Sequence, residues 1–243
     1  MKPIVTFISD FGQRDGYVAQ VKARILSRHP DACIVDITHQ VSPHDIISGA
    51  WLIYTSYSWF PYSSIHLAIV DPGVGSERAI IAVEKDGHLL IGPDNGVFSF
   101  IYPANKVIEV KWRPSGSISP TFHGRDIFAP LVGVVLDNDK IENLGPPMGS
   151  PVILDIHRPM IVHIDRFGNI ITNLDCSHLK PGCRLTVSGI TIALIAKTFT
   201  DIPYGELGLV CGSASTIEIV ANQARADDII DAKIGMPVSL SFG

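Results

Sequence analysis

Two aspartates stand where a side chain can reach a ligand. Asp10 ends the apolar run Lys2–Ser9, and Asp71 ends Ile65–Val70. In an open α/β sheet, ligands bind at the carboxyl ends of strands, where loops converge. Taken singly, each aspartate reads equally as a helix cap or a turn residue. Asp71 has more around it. Pro72, Gly73 and Gly75 make a stiff, tight loop that holds a carboxylate in one place beside backbone amides. Arg78 follows seven residues later, within folding-back distance. An Asp–Arg pair of this kind is either a structural ion pair or part of a site. The second cluster is Thr121-Phe-His-Gly-Arg-Asp126, just before an apolar helix. His123 there is either a general base or a hydrogen-bonded core histidine.

A third cluster, Asp165-Arg-Phe-Gly-Asn169, lies in a predicted turn between strands, with Asn173 one strand on. Asp and Asn are common in turns for backbone reasons. Phe167 is less expected, because an exposed ring in a polar loop gains nothing unless something stacks on it. Glu218, within Ile217-Glu-Ile-Val220, is a charge inside a strand and needs a partner or water. His39 and His44 have the spacing of possible metal ligands, but a surface loop with two unrelated histidines is the expected reading. The sequence contains no P-loop, no dinucleotide-binding glycine fingerprint, no H-E-x-x-H and no G-x-S-x-G.

The bulk composition excludes several classes. The net charge is −5 with no Lys/Arg cluster, which argues against a nucleic-acid footprint and a polybasic membrane anchor. Hydrophobic residues are 46% and charged residues 18% of the chain, enough to pack a core. Cys33, Cys176, Cys183 and Cys211 form no C-x-x-C pair, so small buried thiols in a reducing compartment are expected. The first residues carry no signal-peptide pattern, and a cytoplasmic location is expected. Ile46–Val70 lacks Asp, Glu, Lys and Arg, yet it holds six Ser/Thr, three Tyr and Pro61. It reads as a buried helix followed by a core strand rather than a membrane span.

The elements that must position these residues follow from periodicity. Strands are predicted at Lys2–Ser9, Cys33–Ile37 and Ile65–Val70. Helices are predicted from Tyr17 to about Pro30 and from about Asp45 to Trp59. Asp86-Gly87 joins two further strands, Ala79–Glu84 and His88–Ile91, as a hairpin. Asp126–Leu136 reads as a last helix. This alternation predicts a mostly parallel sheet with helices on both faces. The Pro/Gly-rich stretch Asn143–Pro151 reads as a linker. Short strands follow, from Met160–Ile164 to Pro237–Phe242. The expected fold class is therefore an N-terminal α/β sandwich over residues 1–150. A smaller C-terminal all-β domain, of barrel or sandwich type, is expected over 151–243.

Read in order, the motifs are Ser9-Asp-Phe-Gly12, Asp36-Ile-Thr-His39, Val70-Asp-Pro-Gly-Val-Gly75, Pro93-Asp-Asn-Gly96, Thr121-Phe-His-Gly-Arg-Asp126, Arg166-Phe-Gly-Asn169 and Glu218-Ile-Val-Ala-Asn222. Together they resemble the S-adenosylmethionine hydroxide adenosyltransferase family. These are adenosine-forming hydrolases related to the fluorinase and chlorinase enzymes. The resemblance runs from Ile4 to about Asn222. It implies an α/β domain followed by a β-barrel, and a homotrimer whose active sites lie between subunits. It implies a water-holding set of Asp71, Arg78 and His123. By the same resemblance Asp10 grips the ribose hydroxyls, Asp165 faces the methionine ammonium and Asn169 contacts adenosine. Ser213 and Glu218 match further nucleoside contacts, with backbone near Ala221–Gln223 meeting the adenine edge. Phe167 belongs with these residues as a further substrate contact. No cofactor or metal is implied, since S-adenosylmethionine is the substrate.

Two features favour hydrolase over halogenase within the resemblance. The halogenase relatives replace the Asp and His of the water-holding set, and they carry an insertion before the P-x-N-G motif. This chain keeps both residues and has only Asp86-Gly87 there. It departs from the halogenases at Ala214, where they place an arginine for the methionine carboxylate. The alternatives are a halogenase, a nucleoside-binding protein without turnover, and metal-dependent hydrolysis through His39 or His44.

Overall fold

A computed structural model describes residues 2–137 and 140–243. The chain divides into two compact units, Met1–Leu154 and Asp155–Gly243.

The first unit is built on a six-stranded sheet. Its strands are β1 (Ile4–Ser9), β2 (Cys33–Thr38), β3 (Ile65–Ile69), β4 (Ile80–Lys85), β5 (His88–Pro93) and β6 (Lys106–Glu109), ordered β2-β1-β3-β5-β4-β6. The first four in that order run parallel, and β4 is antiparallel to both β5 and β6. The sheet is mostly parallel, as expected. β6 was not foreseen, because Lys-Val-Ile-Glu is too short to show a period.

Helices cover both faces. Val18, Val21 and Ile25 of α1 (Tyr17–Leu26) recur at helical spacing and are buried. With α3 (Ala129–Leu136) they close over Phe7, Leu67 and Ile91. On the other face α2 (Ile46–Tyr57) packs Ile53 and Tyr57 against Ile8, Ala68 and Leu90. Asp45 caps α2 by accepting from the Ser48 N–H at 3.0 Å, which satisfies one of the free amides at a helix start. The charge-free stretch Ile46–Val70 is thus a core helix and a core strand. Among the described residues no helix is long and apolar enough to cross a membrane.

The second unit contains antiparallel sheets. β7 (Ile161–Ile164), β8 (Ile170–Asp175), β11 (Leu207–Cys211) and β12 (Thr216–Ala221) form one, in the order β11-β12-β8-β7. β9 (Cys183–Val187), β10 (Ile190–Ile192) and β13 (Ser239–Phe242) form the other, in the order β10-β9-β13. The short helix α4 (Ala226–Ile230) packs Ala226 and Ile230 into the shared core with Leu185, Leu209 and Ile219.

The cysteines depart from expectation. Cys176 and Cys211 form a disulfide with Cα atoms 5.5 Å apart, and Cys33 is exposed rather than buried. Only Cys183 is a buried free thiol. The strand order brings the pair together, because Cys211 ends β11 and Cys176 follows β8, one strand away across β12. A bridge between residues 35 apart in sequence leaves no local pattern. It also removes the argument for a reducing compartment from unpaired thiols.

Candidate active site

Asp71 leaves β3 into a loop that turns back on itself. The Val74 N–H reaches Asp71 O at 3.2 Å and the Ser76 N–H reaches Gly73 O at 3.1 Å. Gly75 has φ +81°, and a Cβ there would fall 2.3 Å from Pro120 O. Only glycine satisfies both demands. This close approach brings the Asp71 loop against the segment holding His123. Asn95, the third residue of the Pro93–Gly96 motif, donates from Nδ2 to Val70 O at 2.8 Å and pins the strand end. Its role was not read from the sequence, although an Asn in such a turn was visible.

The geometry joins the three candidate catalytic side chains in a row. Arg78 Nε donates to both Asp71 carboxylate oxygens, at 2.8 and 3.0 Å, and Nη2 also binds Asp71. The two side chains are 9% and 5% exposed. Nη2 lies 3.2 Å from His123 Nδ1. A guanidinium can only donate, so Nδ1 accepts and the imidazole proton sits on Nε2. Burial, then the Arg78 charge, holds His123 below the usual histidine range, against the pull of Asp71. The imidazole is therefore neutral near pH 7. Arg78 also lies over the Phe128 ring, 5.4 Å from its centroid.

His123 precedes a π-helical turn, Gly124–Phe128, that leads into α3. Such turns occur mostly as single insertions, frequently at functional sites. Asp126 is tied to Arg125 and accepts from the Ser119 N–H at 2.9 Å. It thus holds the segment, and its charge also acts on His123.

A cavity of about 270 Å³ opens at the same sheet end, lined by Asp10, Phe11, Tyr17, His44, Asp71 and Phe122 among others. Asp71 lines it, while Arg78 and His123 do not. Asp10 Oδ2 accepts the His44 N–H at 2.9 Å. His44 is exposed, but His39 is 1% exposed, which corrects the expectation of two surface histidines. Among the described residues no three His, Cys, Asp or Glu are grouped to hold a metal.

The remaining candidates meet in the second unit. Asp165, Phe167, Asn169, Ser213 and Glu218 all line a pocket of about 920 Å³. Asp165 shapes the turn: Oδ1 accepts from the Phe167 and Asn169 amides at 2.8 and 2.9 Å, and Oδ2 accepts Asn169 Nδ2 at 2.8 Å. That turn leaves Phe167 74% exposed at the pocket wall. Glu218 lies over Gly212, where a Cβ would sit 1.8 Å from its carboxyl. Burial first, then the Asp165 charge, pushes Glu218 up to about 7. Lys197, Thr198, Phe199 and Thr200 also line the pocket and were missed. The available signal was Phe199, another ring in a polar loop and 48% exposed.

Residues 5–145 match the SAM hydroxide adenosyltransferase N-terminal domain, and residues 160–239 match the C-terminal domain of the same name. The chain belongs to this family of enzymes. A Thermus thermophilus protein named (R)-S-adenosyl-L-methionine hydrolase is 33% identical, over 99% of this chain and 100% of that one. A Methanocaldococcus jannaschii protein of the same name is 40% identical over 70% of this chain and 66% of its own length. A fluorinase from Actinoplanes sp. is 25% identical over 98% and 97%. Among solved structures, an uncharacterized conserved protein from Thermotoga maritima superposes with a TM-score of 0.89 at 31% identity, covering 97% of this chain and 99% of that one.

Proposed function

We propose that the protein hydrolyses S-adenosylmethionine at the ribose 5′ carbon, releasing adenosine and L-methionine. The observation that supports this best is the Asp71–Arg78–His123 row at the end of β3, in a chain of this family. The sulfonium leaves as a neutral thioether and needs no general acid. The difficulty is the nucleophile, because neutral water attacks carbon slowly. A water in line with the 5′ carbon takes a hydrogen bond from His123 Nε2–H. Its oxygen bonds to that carbon as the carbon–sulfur bond breaks, the electron pair leaves with sulfur, and the surplus proton passes to solvent. The Arg78 charge favours the water's hydroxide-like form, and Asp71 holds the guanidinium in place. Positioning of this kind lowers barriers by roughly 7 kcal/mol for well-oriented reactants.

In this reading Asp10 grips the ribose hydroxyls, and the pocket of the second unit takes the rest of the substrate. Phe167 stacks on the base, Asn169, Ser213 and Glu218 contact the nucleoside, and Asp165 faces the methionine ammonium. The subunits form a homotrimer in which the cavity of one chain is completed by the β pocket of a neighbour. The second unit closes into a barrel. Support for closure comes from two bridges outside the named strands, Met160 to Pro237 and Ile195 to Leu209. A cytoplasmic location follows from the intracellular supply of such a substrate.

The test is incubation of purified protein with S-adenosylmethionine, with products followed by chromatography. Equal amounts of adenosine and methionine are expected, with no 5′-halo-5′-deoxyadenosine when chloride or fluoride is added. Absence of adenosine after many enzyme equivalents of time would defeat the reading.

A further inference from the structure

Behind the Asp10 loop lies a chain of polar contacts that the reaction scheme leaves unused. Ser9 ends β1 and is fully buried, and His39 is 1% exposed. The Ser9 hydroxyl lies 2.8 Å from His39 Nδ1. His39 Nε2 lies 3.0 Å from an Asp36 carboxylate oxygen, and Asp36 takes Lys22 Nζ at 2.5 Å on its other oxygen. The Nε2 approach has ion-pair distance without hydrogen-bond alignment, so it is an electrostatic contact.

The Asp36 carboxylate facing Nε2 favours the imidazole proton there. Nδ1 then accepts from the Ser9 hydroxyl, whose oxygen also takes a weak donation from the Phe11 N–H at 3.4 Å. Burial holds His39 below the usual histidine range despite Asp36, in keeping with a neutral ring.

Local structure explains why these residues meet. Phe7 pairs with Asp36 but Ile8 pairs with Thr38, so β2 carries one extra residue at this point. A bulge re-aims the side chains that follow it, and here it brings His39 to Ser9. The Phe7 ring meets His39 edge-on, 4.5 Å between centroids. The Gly12 N–H binds His39 O at 2.7 Å, with Gly12 at φ +70°. The loop between Ser9 and Gly12 is thus fastened to His39 at both ends, and Asp10 lies inside it. A serine, a histidine and an aspartate in a row suggest a nucleophile, but Ser9 has no exposed surface and does not line the cavity.

We propose that Ser9, His39 and Asp36 form a positioning relay that holds Asp10 at the angle needed to grip the vicinal hydroxyls of a ribose. This rests on the reading of Asp10 given above. Asp10 is half-buried, and its one described hydrogen bond is from the His44 N–H. One such restraint leaves the carboxylate free to swing, and the relay fixes the backbone that carries it.

The test measures binding of adenosine and of 2′,3′-dideoxyadenosine by calorimetry, in the wild type and in Ser9→Ala, His39→Leu, His39→Asn, Asp36→Asn and Asp10→Asn. A carboxylate bonded to a diol should favour adenosine by roughly tenfold or more. Ser9→Ala and His39→Leu should bring that ratio close to one while dideoxyadenosine affinity stays within about twofold. His39→Asn, which restores an acceptor near the Nδ1 position, should recover part of it. Asp36→Asn, at the exposed end, should shift it in the same direction by less and keeps the test valid if His39→Leu does not fold. A ratio lost in Asp10→Asn but retained in Ser9→Ala and Asp36→Asn would overturn the relay alone. A wild type that does not distinguish the two nucleosides would overturn the role of Asp10 and the relay with it.

Discussion

The two pockets are built in opposite ways. In the first unit, the cavity of about 270 Å³ is small, lined by buried Phe122, half-buried Phe11 and the more exposed Tyr17, beside the loop that Gly75 brings against Pro120. Asp71 at its wall is bound to Arg78 and through it to His123, both outside the lining, and no disulfide is involved. In the second unit, the pocket of about 920 Å³ is wide, its rings Phe167 and Phe199 are 74% and 48% exposed, and Cys211 at its wall is covalently tied to Cys176. A site that must orient a small nucleophile needs side chains with one available geometry, because misplacement raises the barrier. A site that must hold a large, partly apolar ligand needs surface and stacking rings. Changes in the Asp71–Arg78–His123 row should therefore act on kcat, and changes in the pocket of the second unit on KM.

The largest effect is expected from the covalent tie. Cys176→Ser, or reduction by a dithiol, releases a loop whose ends are 35 residues apart. Loop-closure entropy then gives a loss of up to about 4 kcal/mol. Thermal unfolding with and without reductant measures it, and KM should rise before kcat falls. An unchanged Tm and KM would mean that the pocket wall stands without the tie. Next come Asp71→Ala, Arg78→Ala and His123→Ala, each expected to lower kcat by roughly 10²-fold or more with little change in KM. Near-normal kcat in all three would erase the distinction between the pockets. Phe167→Ala should raise KM about tenfold through lost stacking and leave kcat unaltered. A kcat effect larger than the KM effect would move this ring into the chemistry.

The smallest effect concerns pH. The Glu218 carboxyl is raised from 4.5 to about 7 in the folded chain. Between those values the folded state holds a proton that the unfolded state has lost, so stability falls as pH rises from about 4.5 to about 7. Ionised Glu218 favours a cationic substrate, so KM should drop roughly fivefold as pH rises through 7. Glu218→Gln should flatten that profile. His123, shifted the other way, must stay neutral, so the acid limb of kcat should lie below pH 6.5. A limb above 6.5 would assign the titration to another group.

Much of this was legible along the chain. The alternation of apolar runs marks the parallel strands β1, β2 and β3 and the helices between them, because burial imposes its period on residue type. Gly75 and Gly168 announce tight turns, since each has a positive φ. Phe167, a ring in a polar turn, announces a side chain left outside the core, and it stands at the wall of the second pocket. Other features stayed hidden, and for a common reason. The Cys176–Cys211 bridge, the Asn95 bond to Val70 and the lining by Lys197–Thr200 all join residues that are distant in sequence, and nothing in their local pattern requires a partner.

Which residue types stand at strand ends and in turns can be read along the chain, because backbone conformation and burial are local demands. Which of them touch depends on how distant segments pack. The clearest instance is His39, which reads as a surface histidine from its neighbours. One extra residue in the β1–β2 register instead buries it against Ser9. Register is set by pairing between segments rather than within them, and a one-residue shift re-aims every side chain after it.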